Sequence, residues 1–383
     1  MRIILIVSFL FTAQFSIGQK ANDYLVIDTK VAKIPDSLTA TTSEIASYIS
    51  SNFKTENEKV RAIYYWTASN ISYDVPNMYE PNYLDSPQEK ITNTLKSRKG
   101  VCIHYAEVFN DIANKTGIKT YIIGGYTKQD GKIAPISHAW CASKIDGKWF
   151  LFDPTWGSGY INGQKFIKKM NNSFYKVEPS KMIASHIPFD YLWQFLNSPT
   201  TNQEFISGKM EVNKPKTNFE FEKEIDNYEK LSDGDKAFEA SKRIEKNGLL
   251  NKMITDYFNE KKKQFTVIRQ NKNIEKLNII SADFNQGISY LNDFIMYRNK
   301  RFKPTQSDEM IKKMIQDVKD KFTKCKDEVY TIGSVGTENS SNLNSLKRLI
   351  LEAIDKTKEQ EDFVNEYLSK GNLGRKIMFT NLR

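Results

Sequence analysis

The dipeptide Asp146-Gly147 lies between two apolar segments and constrains the fold of this chain more than any other feature of its sequence. Asp-Gly strongly favours a two-residue β-hairpin turn, because both residues tolerate the positive φ angles that a type I′ turn requires. The turn pairs Ile145 with Lys148 and so fixes the register of both strands. We predict strands at residues 136–145 and 148–153, and a further strand before them at residues 119–126.

This register predicts a pair of polar side chains at the open end of the hairpin. His138 faces Thr155, and Asp153 is the diagonal neighbour of His138 on the same face of the sheet. The diagonal Cβ separation in such a pair is about 7 Å, which lets an imidazole and a carboxylate meet. A base held by a third group is the arrangement that activates a nucleophile. We therefore predict His138 as a base and Asp153 as the acid that orients it.

Cys102 is the candidate nucleophile. A helix is predicted to begin there and to end at Gly117, with apolar residues at helical spacing at Tyr105, Phe109, Ile112 and Ala113. The backbone amides and the dipole at a helix N-terminus favour a thiolate over a thiol. From position alone, a small buried apolar residue is an equally good interpretation of this cysteine. The predicted base at His138 favours the interpretation of Cys102 as a nucleophile over that of a buried apolar residue.

The other two histidines are weaker candidates for the base. His104 lies two positions from Cys102 on the same predicted helix, whereas side chains that meet on a helix are three or four positions apart. His186 lies in a connecting segment where no regular element places an acidic residue beside it, so it is a poor second choice. The histidines and cysteines show no spacing typical of metal ligands, and we predict neither a metal nor a cofactor.

Three cysteines are too few and too scattered for a disulfide framework, and an odd number leaves at least one free thiol. Cys141 lies three residues from His138 on the same predicted strand, so its side chain points to the opposite face and into the core. Trp140 shares the face of His138, where packing is the favoured role and a wall of the site is the alternative. Cys325 lies on a predicted helix between two lysines, and we interpret it as structural.

The N-terminus has the pattern of an export signal. Met1 and Arg2 give a positive start, residues 3–11 are apolar, and Ser16-Ile17-Gly18 is a small-x-small cleavage site. We predict a signal peptide at residues 1–18 and a secreted or periplasmic protein. A membrane anchor is the weaker alternative, because Gln14 and Gln19 interrupt a segment already short for a span of about 20 residues. We predict no stable membrane insertion after cleavage.

The rest of the chain divides by composition near residue 200. All five tryptophans lie before Asn197, and the residues beyond it are rich in Lys and Glu with apolar residues at helical spacing. We predict a first domain at residues 19–200 and a helical C-terminal domain at residues 201–383, with five or six helices interrupted at Gly248, at Lys303-Pro304 and at residues 333–344. We assign the first domain to the α+β class, because it combines predicted helices at residues 43–53 and 56–69 with the antiparallel strands. An irregular segment is predicted at residues 73–88.

The formal charge of +10 favours a polyanionic partner only if the basic residues cluster. They do not, because residues 1–200 and residues 201–383 each carry a net charge of +5. We predict a solvated, mildly basic surface and no nucleic-acid partner.

Three blocks of sequence resemble a known family: Lys99-Gly100-Val101-Cys102 with Tyr105-Ala106, Ser137-His138-Ala139-Trp140, and Phe152-Asp153-Pro154-Thr155-Trp156-Gly157. Together they look like the transglutaminase-like superfamily of papain-like cysteine proteins. Residues 59–66, residues 71–74 and residues 186–194 also resemble its secreted bacterial and kyphoscoliosis-peptidase-like branch. The resemblance covers about residues 40–197. It does not reach the C-terminal half.

The resemblance implies a papain-like core, in which a helix that begins at the cysteine packs on a small antiparallel sheet bearing the histidine and aspartate. It implies a nucleophile at Cys102 that attacks a peptide or carboxamide carbonyl and forms a thioester. The backbone N–H of Cys102 would supply one donor to the oxyanion. The resemblance offers Trp66 as the second donor, since it lies upstream where transglutaminases use a tryptophan indole. Core packing is the favoured alternative for Trp66, and Tyr73 is a rival candidate for the donor.

We therefore predict an exported cysteine enzyme that acts on a protein or peptide, with a cell-wall peptide as one candidate substrate. Hydrolysis is favoured, because water is always available and a cross-linking enzyme must exclude it from the thioester. The alternatives are an amine-accepting protein cross-linker and a non-catalytic interaction module that retains the fold. Loss of Cys102, His138 or Asp153 would favour the module, and all three residues are present.

Overall fold

The computed structural model describes residues 24–79, 85–209 and 218–379. The described residues form two compact units. The first unit extends to Leu231 and includes Phe238–Lys261, and the second comprises Ser232–Ala237 and the chain from Lys262 onward. The predicted signal peptide lies outside the described residues. The predicted domain boundary at residue 200 stays a prediction, because it concerns independently folding domains. No helix within the described ranges is long and apolar enough to cross a membrane.

The helices of the first unit surround one amphipathic helix that carries Cys102. In chain order, the helices that lie wholly within this unit are α1 (residues 24–31), α2 (Thr42–Asn52), α3 (Glu56–Asn70), α4 (Pro87–Ser97), α5 (Cys102–Lys115), α6 (Pro154–Ser158), α7 (Pro179–Met182), α8 (Asn202–Ser207) and α9 (Phe221–Lys230). The predicted start of α5 at Cys102 is confirmed, and Gly117 follows its end with a φ of +86°. The four predicted apolar residues of α5 are all buried.

A curled antiparallel sheet packs against α5. Its strands are β3 (Thr120–Gln129), β4 (Lys132–Ile133), β5 (His138–Ile145), β6 (Lys148–Phe152) and β9 (His186–Pro188). The order is β4-β3-β5-β6, and β9 also pairs with β3. The α+β class of the first unit is confirmed, as is the helical character of the C-terminal region.

The hairpin register is confirmed along the observed strands and is wrong at one position beyond them. Ile145 pairs with Lys148, and the same register holds to the Cys141–Phe152 pair. Both turn residues have positive φ angles, 49° at Asp146 and 79° at Gly147, as a type I′ turn requires. The predicted pairing of His138 with Thr155 does not form, because β6 ends at Phe152 and Thr155 belongs to α6.

Several local elements were not predicted, and two of them have a signal in the sequence. The predicted irregular segment ends in α4, which begins with a capping box in which Ser86 and Glu89 satisfy each other's backbone N–H groups. A hairpin of β7 (Gly159–Asn162) and β8 (Lys165–Lys168) follows α6, and Gly163 in its turn has a φ of 61°. A short parallel pair, β1 (Ser72–Tyr73) with β2 (Lys99–Gly100), leads into Cys102.

The C-terminal region is helical. It continues with α10 (Asp233–Lys246), α11 (Lys252–Asn299), α12 (Asp308–Val329), α13 (Thr337–Ser369) and α14 (Asn372–Met378). The predicted breaks at Gly248 and Lys303-Pro304 separate α10 from α11 and α11 from α12. The predicted interruption at residues 333–344 is too long, since α13 begins at Thr337. With α8 and α9, seven helices are described beyond residue 200, against the five or six predicted.

Gly125 lets β9 approach the sheet, and an alanine there is expected to destabilise the protein. A Cβ atom at Gly125 would lie 2.2 Å from the Ile187 carbonyl oxygen and 2.5 Å from the Trp140 ring. At the neighbouring Gly124 the nearest atom would be 3.4 Å away, and neither residue has a left-handed φ. We expect Gly125→Ala to cost about 3 kcal/mol, the upper end for overpacking, and Gly124→Ala less than about 1 kcal/mol.

Thermal unfolding of the two variants measures this difference. In a domain of this size 1 kcal/mol moves Tm by about 2–4 °C, so Gly125→Ala should melt well below Gly124→Ala. Equal Tm values for both variants would contradict the close approach of β9.

Candidate active site

Cys102 is the first residue of α5, and its side chain is half-buried. The preceding Val101 makes no side-chain cap, and the ring of His104 instead accepts the backbone N–H of Val101 itself at Nδ1, 3.1 Å away. His104 therefore supports the start of the helix. The free amides at this helix start favour negative charge on the Cys102 sulfur.

Gly100 allows this arrangement because its position has no room for a side chain. A Cβ atom there would lie 2.5 Å from the Cβ of His104. The backbone around Gly100 is also fixed by the β1–β2 pair, in which the Asp74 N–H donates to the Gly100 carbonyl at 3.0 Å. The segment that presents Cys102 is therefore held on both sides.

His138 and Asp153 meet at the end of the β5–β6 hairpin. The His138 Nε2 and the Asp153 Oδ2 are 2.7 Å apart. Asp153 is fully buried, whereas the His138 side chain retains 10% exposure, so the imidazole is the member of the pair that solvent or a substrate can reach. The predicted contact between the two side chains is therefore present, although Asp153 reaches it from a helix start and not from a strand.

Asp153 also caps α6. Its Oδ1 accepts the backbone N–H groups of Thr155 at 2.9 Å and of Trp156 at 3.1 Å. A carboxylate at an N-cap position satisfies amides that the helix cannot, and it gains from the helix dipole. The Asp153 side chain therefore has one oxygen fixed by the backbone and the other directed at His138.

His186 joins this pair, although the sequence made it a poor second choice. Its Nε2 lies 3.1 Å from the Asp153 Oδ2, and its Nδ1 lies 2.8 Å from the Ser185 Oγ. The side chain is fully buried. No local signal points to this contact, because the acidic partner is 33 residues away and the contact depends on β9 pairing with β3.

The charges of the three side chains depend on one another. Burial lowers the pKa of His138, but the charge and hydrogen bond of Asp153, with a smaller contribution from Cys102, outweigh it and raise the pKa to about 10. Burial alone would raise the pKa of Asp153, yet His138 and His186 hold it well below its usual range. Burial lowers the pKa of His186 despite the hydrogen bond to Asp153. These directions favour an imidazolium at His138, a carboxylate at Asp153 and a neutral imidazole at His186.

His138 has one further ring nitrogen besides the one that contacts Asp153. His138 Nε2 is engaged with Asp153, so Nδ1 is the atom left for the cysteine. A histidine that contacts a carboxylate with one ring nitrogen can exchange a proton with a thiol at the other.

Aromatic rings enclose the two histidines. Trp140 is buried and its ring centroid lies 6.1 Å from that of His138 and 5.2 Å from that of His186. Trp156 lies 5.7 Å from His138 and 4.6 Å from His186. The predicted position of Trp140 on the face of His138 is therefore observed. The rings exclude water from the imidazole–carboxylate contacts and restrict their motion.

The other two cysteines lie away from this chemistry. Cys141 is buried on the opposite side of the strand, and its Sγ lies 3.4 Å from the Ala106 carbonyl on α5. Burial raises the pKa of Cys141 well above its usual value, and burial likewise raises that of Cys325 in the core of the second unit. Both thiols are therefore unreactive by environment.

The predicted oxyanion donors occupy different surroundings. Trp66 is only 1% exposed, and the guanidinium of Arg98 stacks 5.0 Å from its ring, so its surroundings are those of a core residue. Tyr73 is half-buried, and its pKa is raised by burial and then by the charge of Cys102. The indole role of Trp66 stays a prediction, and Tyr73 stays its rival.

Among the described residues, His138, Asp153 and His186 are the one set of three or more possible metal ligands that lie close together, with their ligand atoms within 4.8 Å of one another. The chemistry of the set suits a divalent cation. Each of these atoms already has a hydrogen-bond partner at 2.7 or 3.1 Å. We therefore interpret the set as a hydrogen-bonded charge network.

Comparisons with known proteins agree with the motif blocks. Residues 43–154 match the family model of the transglutaminase-like superfamily, which confirms the predicted resemblance. The chain is 31% identical over 170 residues to kyphoscoliosis peptidase of Homo sapiens, and 31% identical over 171 residues to that of Mus musculus. These matches cover 42% and 43% of this chain and 25% of each relative. The chain thus spans about a quarter of the length of these curated relatives.

A solved structure of a TGase is 19% identical to this chain and covers 39% of it, with 40% of that structure matched. The TM-score is 0.25, and a likeness at this level carries no argument here.

Proposed function

We propose that the transglutaminase-like domain of this chain is a cysteine enzyme in which Cys102, His138 and Asp153 form the catalytic triad. The observation that carries the proposal is the 2.7 Å contact of His138 with a fully buried Asp153, and Cys102 also contributes to the raised pKa of that histidine. A buried carboxylate fixes the tautomer and the orientation of the imidazole that it contacts. A histidine and an aspartate with a purely structural role would not need a fixed tautomer. Both the nucleophile and its base are therefore prepared for proton transfer.

The proposed reaction is attack of the Cys102 thiolate on the carbonyl of a peptide or carboxamide. The sulfur–carbon bond forms as the carbonyl π electrons move to oxygen, and the backbone N–H of Cys102 donates to that oxyanion. His138 then gives its proton to the leaving amine as the carbon–nitrogen bond breaks, which leaves a thioester on Cys102. His138 next takes a proton from the incoming water as the water oxygen bonds to the acyl carbon. The carbon–sulfur bond then breaks, which releases the acid and returns the Cys102 thiolate beside the protonated His138.

Hydrolysis is the favoured second step, and transfer to an amine is the alternative. Water is always available, whereas transfer to an amine requires a closed or tunnel-like path that keeps water out. The proposed substrate is a protein or a peptide, with a cell-wall peptide as one candidate. Export supports this choice, since the N-terminal pattern at residues 1–18 would carry the protein to the periplasm or outside the cell.

The proposal predicts that Cys102 is alkylated selectively in mildly acidic solution. The charge and hydrogen bond of Asp153 outweigh burial and raise the pKa of His138 to about 10, so its imidazolium persists in mildly acidic solution. A cationic histidine next to a cysteine is one of the environments that make a cysteine reactive. We expect iodoacetamide at pH 5.5 to modify Cys102 at least about tenfold faster than Cys141 or Cys325, whose thiols burial keeps protonated. Peptide mass spectrometry of samples quenched over time gives the three rates. Equal rates at the three sites, or an unchanged rate in His138→Ala, would contradict the nucleophile assignment.

The reaction type is tested by incubating the protein with a peptide library and a labelled primary amine. Mass spectrometry then separates cleaved or deamidated peptides from amine adducts. Hydrolysed products that are absent with Cys102→Ala support the proposal, and adducts that dominate at millimolar amine favour the cross-linker. No product from the wild-type protein, matched by Cys102→Ala, favours the interaction module.

A further inference from the structure

Asp153 receives more hydrogen bonds than the orienting acid of a triad requires. Its Oδ1 accepts hydrogen bonds from two α6 amides, and its Oδ2 is in hydrogen-bond contact with both His138 and His186. The second imidazole approaches the same oxygen atom that faces the base. His186 therefore acts on the oxygen that sets the position of His138.

His186 has the protonation state of a donor. Its Nε2 lies 3.1 Å from the Asp153 Oδ2, and an ionised carboxylate can only accept, so the proton of the neutral ring lies on Nε2. Its Nδ1 is then an acceptor, and the Ser185 hydroxyl 2.8 Å away donates to it. A neutral imidazole that accepts at Nδ1 carries its proton at Nε2. The Nε2–H of His186 therefore donates to the Asp153 Oδ2, and a chain of donors runs from Ser185 through His186 to Asp153.

The fold holds this imidazole rigidly. His186 pairs with Thr127 where β9 joins β3, and β9 makes its close approach over Gly125. The rings of Trp140, Trp156 and Phe174 lie with centroids 5.2, 4.6 and 5.9 Å from the His186 ring. A side chain packed this closely cannot follow a carboxylate that rotates, so it restrains the carboxylate instead.

We propose that His186 is a positioning residue, which holds the Asp153 Oδ2 toward His138 and thereby keeps the second nitrogen of His138 facing Cys102. The proposal rests on the triad proposed above and adds a fourth member. The titratable groups that face His186 are Asp153 and His138, and those that face His138 are Asp153, His186 and Cys102. Its effect therefore reaches the cysteine through Asp153 and His138.

Three substitutions at His186 separate positioning from packing. His186→Gln keeps a side-chain N–H that reaches the place of Nε2, His186→Asn has an amide that reaches only the place of Nδ1, and His186→Leu has no donor. We expect Asn and Leu to slow iodoacetamide alkylation of Cys102 at pH 6 by about tenfold, the effect of one lost hydrogen bond to a charged group. We expect Gln to stay within about threefold, since a donor remains at the Nε2 position.

A spectroscopic readout tests the same proposal without any activity. The chain has three histidines, so ¹⁵N-histidine NMR can assign each ring. In the wild type we expect His186 as a neutral Nε2–H tautomer at pH 7, because burial lowers its pKa, and we expect a downfield proton on the His138 Nε2. That proton signal should persist in His186→Gln and disappear in His186→Asn and His186→Leu.

The outcomes are distinct from those of the proposed function. A variant without the donor that keeps the wild-type Tm, alkylation rate and His138 signal would overturn the positioning role. So would His186→Gln losing as much as His186→Asn at unchanged Tm. If His186→Leu does not fold, the comparison of Gln with Asn decides. A wild-type protein that shows the NMR pattern and turns over no peptide would refute the enzyme while leaving the role of His186 intact.

Discussion

Cys102→Ala is expected to reduce turnover of any peptide substrate to the level of the reaction without enzyme, a loss of at least about 10³-fold. The reason is that the proposed thioester has no other atom to form on. Cys141 lies on the opposite side of β5 with its sulfur against α5, and Cys325 lies in the core of the second unit. Neither can replace the missing nucleophile.

Cys141→Ala is the matched control, since it also removes one sulfur from the first unit. We expect it to retain turnover within a few-fold of the wild type, with some loss of Tm from the buried site. The rates are measured on the substrate that the peptide library identifies, with Tm recorded for each variant. Turnover that survives in Cys102→Ala, or is lost equally in Cys141→Ala, would refute the assignment.

Asp153→Asn is expected to lower turnover by about 10³- to 10⁴-fold while leaving the fold intact. Asparagine keeps an oxygen for the Thr155 and Trp156 amides, so α6 stays capped. Its amide nitrogen, however, takes the place of the Oδ2 and presents donors to His138 and His186, which both need an acceptor there. The imidazole of His138 then loses the counter-charge that raises its pKa, and alkylation of Cys102 at pH 5.5 should fall with turnover.

Asp153→Ala provides the comparison, because it removes the cap as well as the charge. We expect it to match Asp153→Asn in turnover. We expect its Tm to be lower than that of Asp153→Asn, because loss of a helix cap costs about 1 kcal/mol of stability. Turnover in Asp153→Asn within tenfold of the wild type would show that the carboxylate serves packing alone.

The part of the site that the sequence predicts is the part built from short-range signals. The Asp146-Gly147 turn sets the hairpin register, and that register brings His138 and Asp153 together although they are 15 residues apart. The start of α5 at Cys102 follows from the glycine before it and the apolar spacing after it. These signals act over a few residues, so they can be read without knowledge of the tertiary fold.

The place of His186 could not be predicted in the same way. It depends on β9 pairing with β3, a contact between Thr127 and His186 across 59 positions, and the two strands are not joined directly by a tight turn. The missing side chain at Gly125, which allows the close approach, is informative only once the partner strand is known. Long-range pairing of this kind is decided by packing, which local pattern does not encode.

Other differences had local causes that the sequence contained. The capping box of Ser86 and Glu89 marks the start of α4 inside a segment predicted as irregular. Thr155 leaves the sheet because Asp153 and Pro154 form a favourable helix start, an N-cap acid followed by proline at the first helical position. A helix signal of this strength ends the strand and turns the Asp153 carboxylate toward His138.

The measurement that tests the central claim most directly is capture of the thioester on Cys102. The wild-type protein is mixed with a substrate peptide, quenched in acid within the first turnover, digested and analysed by mass spectrometry, with His138→Ala and Cys102→Ala treated identically. We predict an acyl group on the peptide that contains Cys102, removed by hydroxylamine, strongly reduced in His138→Ala and absent in Cys102→Ala. Turnover of the peptide with no acyl group on Cys102 at any quench time, or with an acyl group on a different residue, would contradict the account.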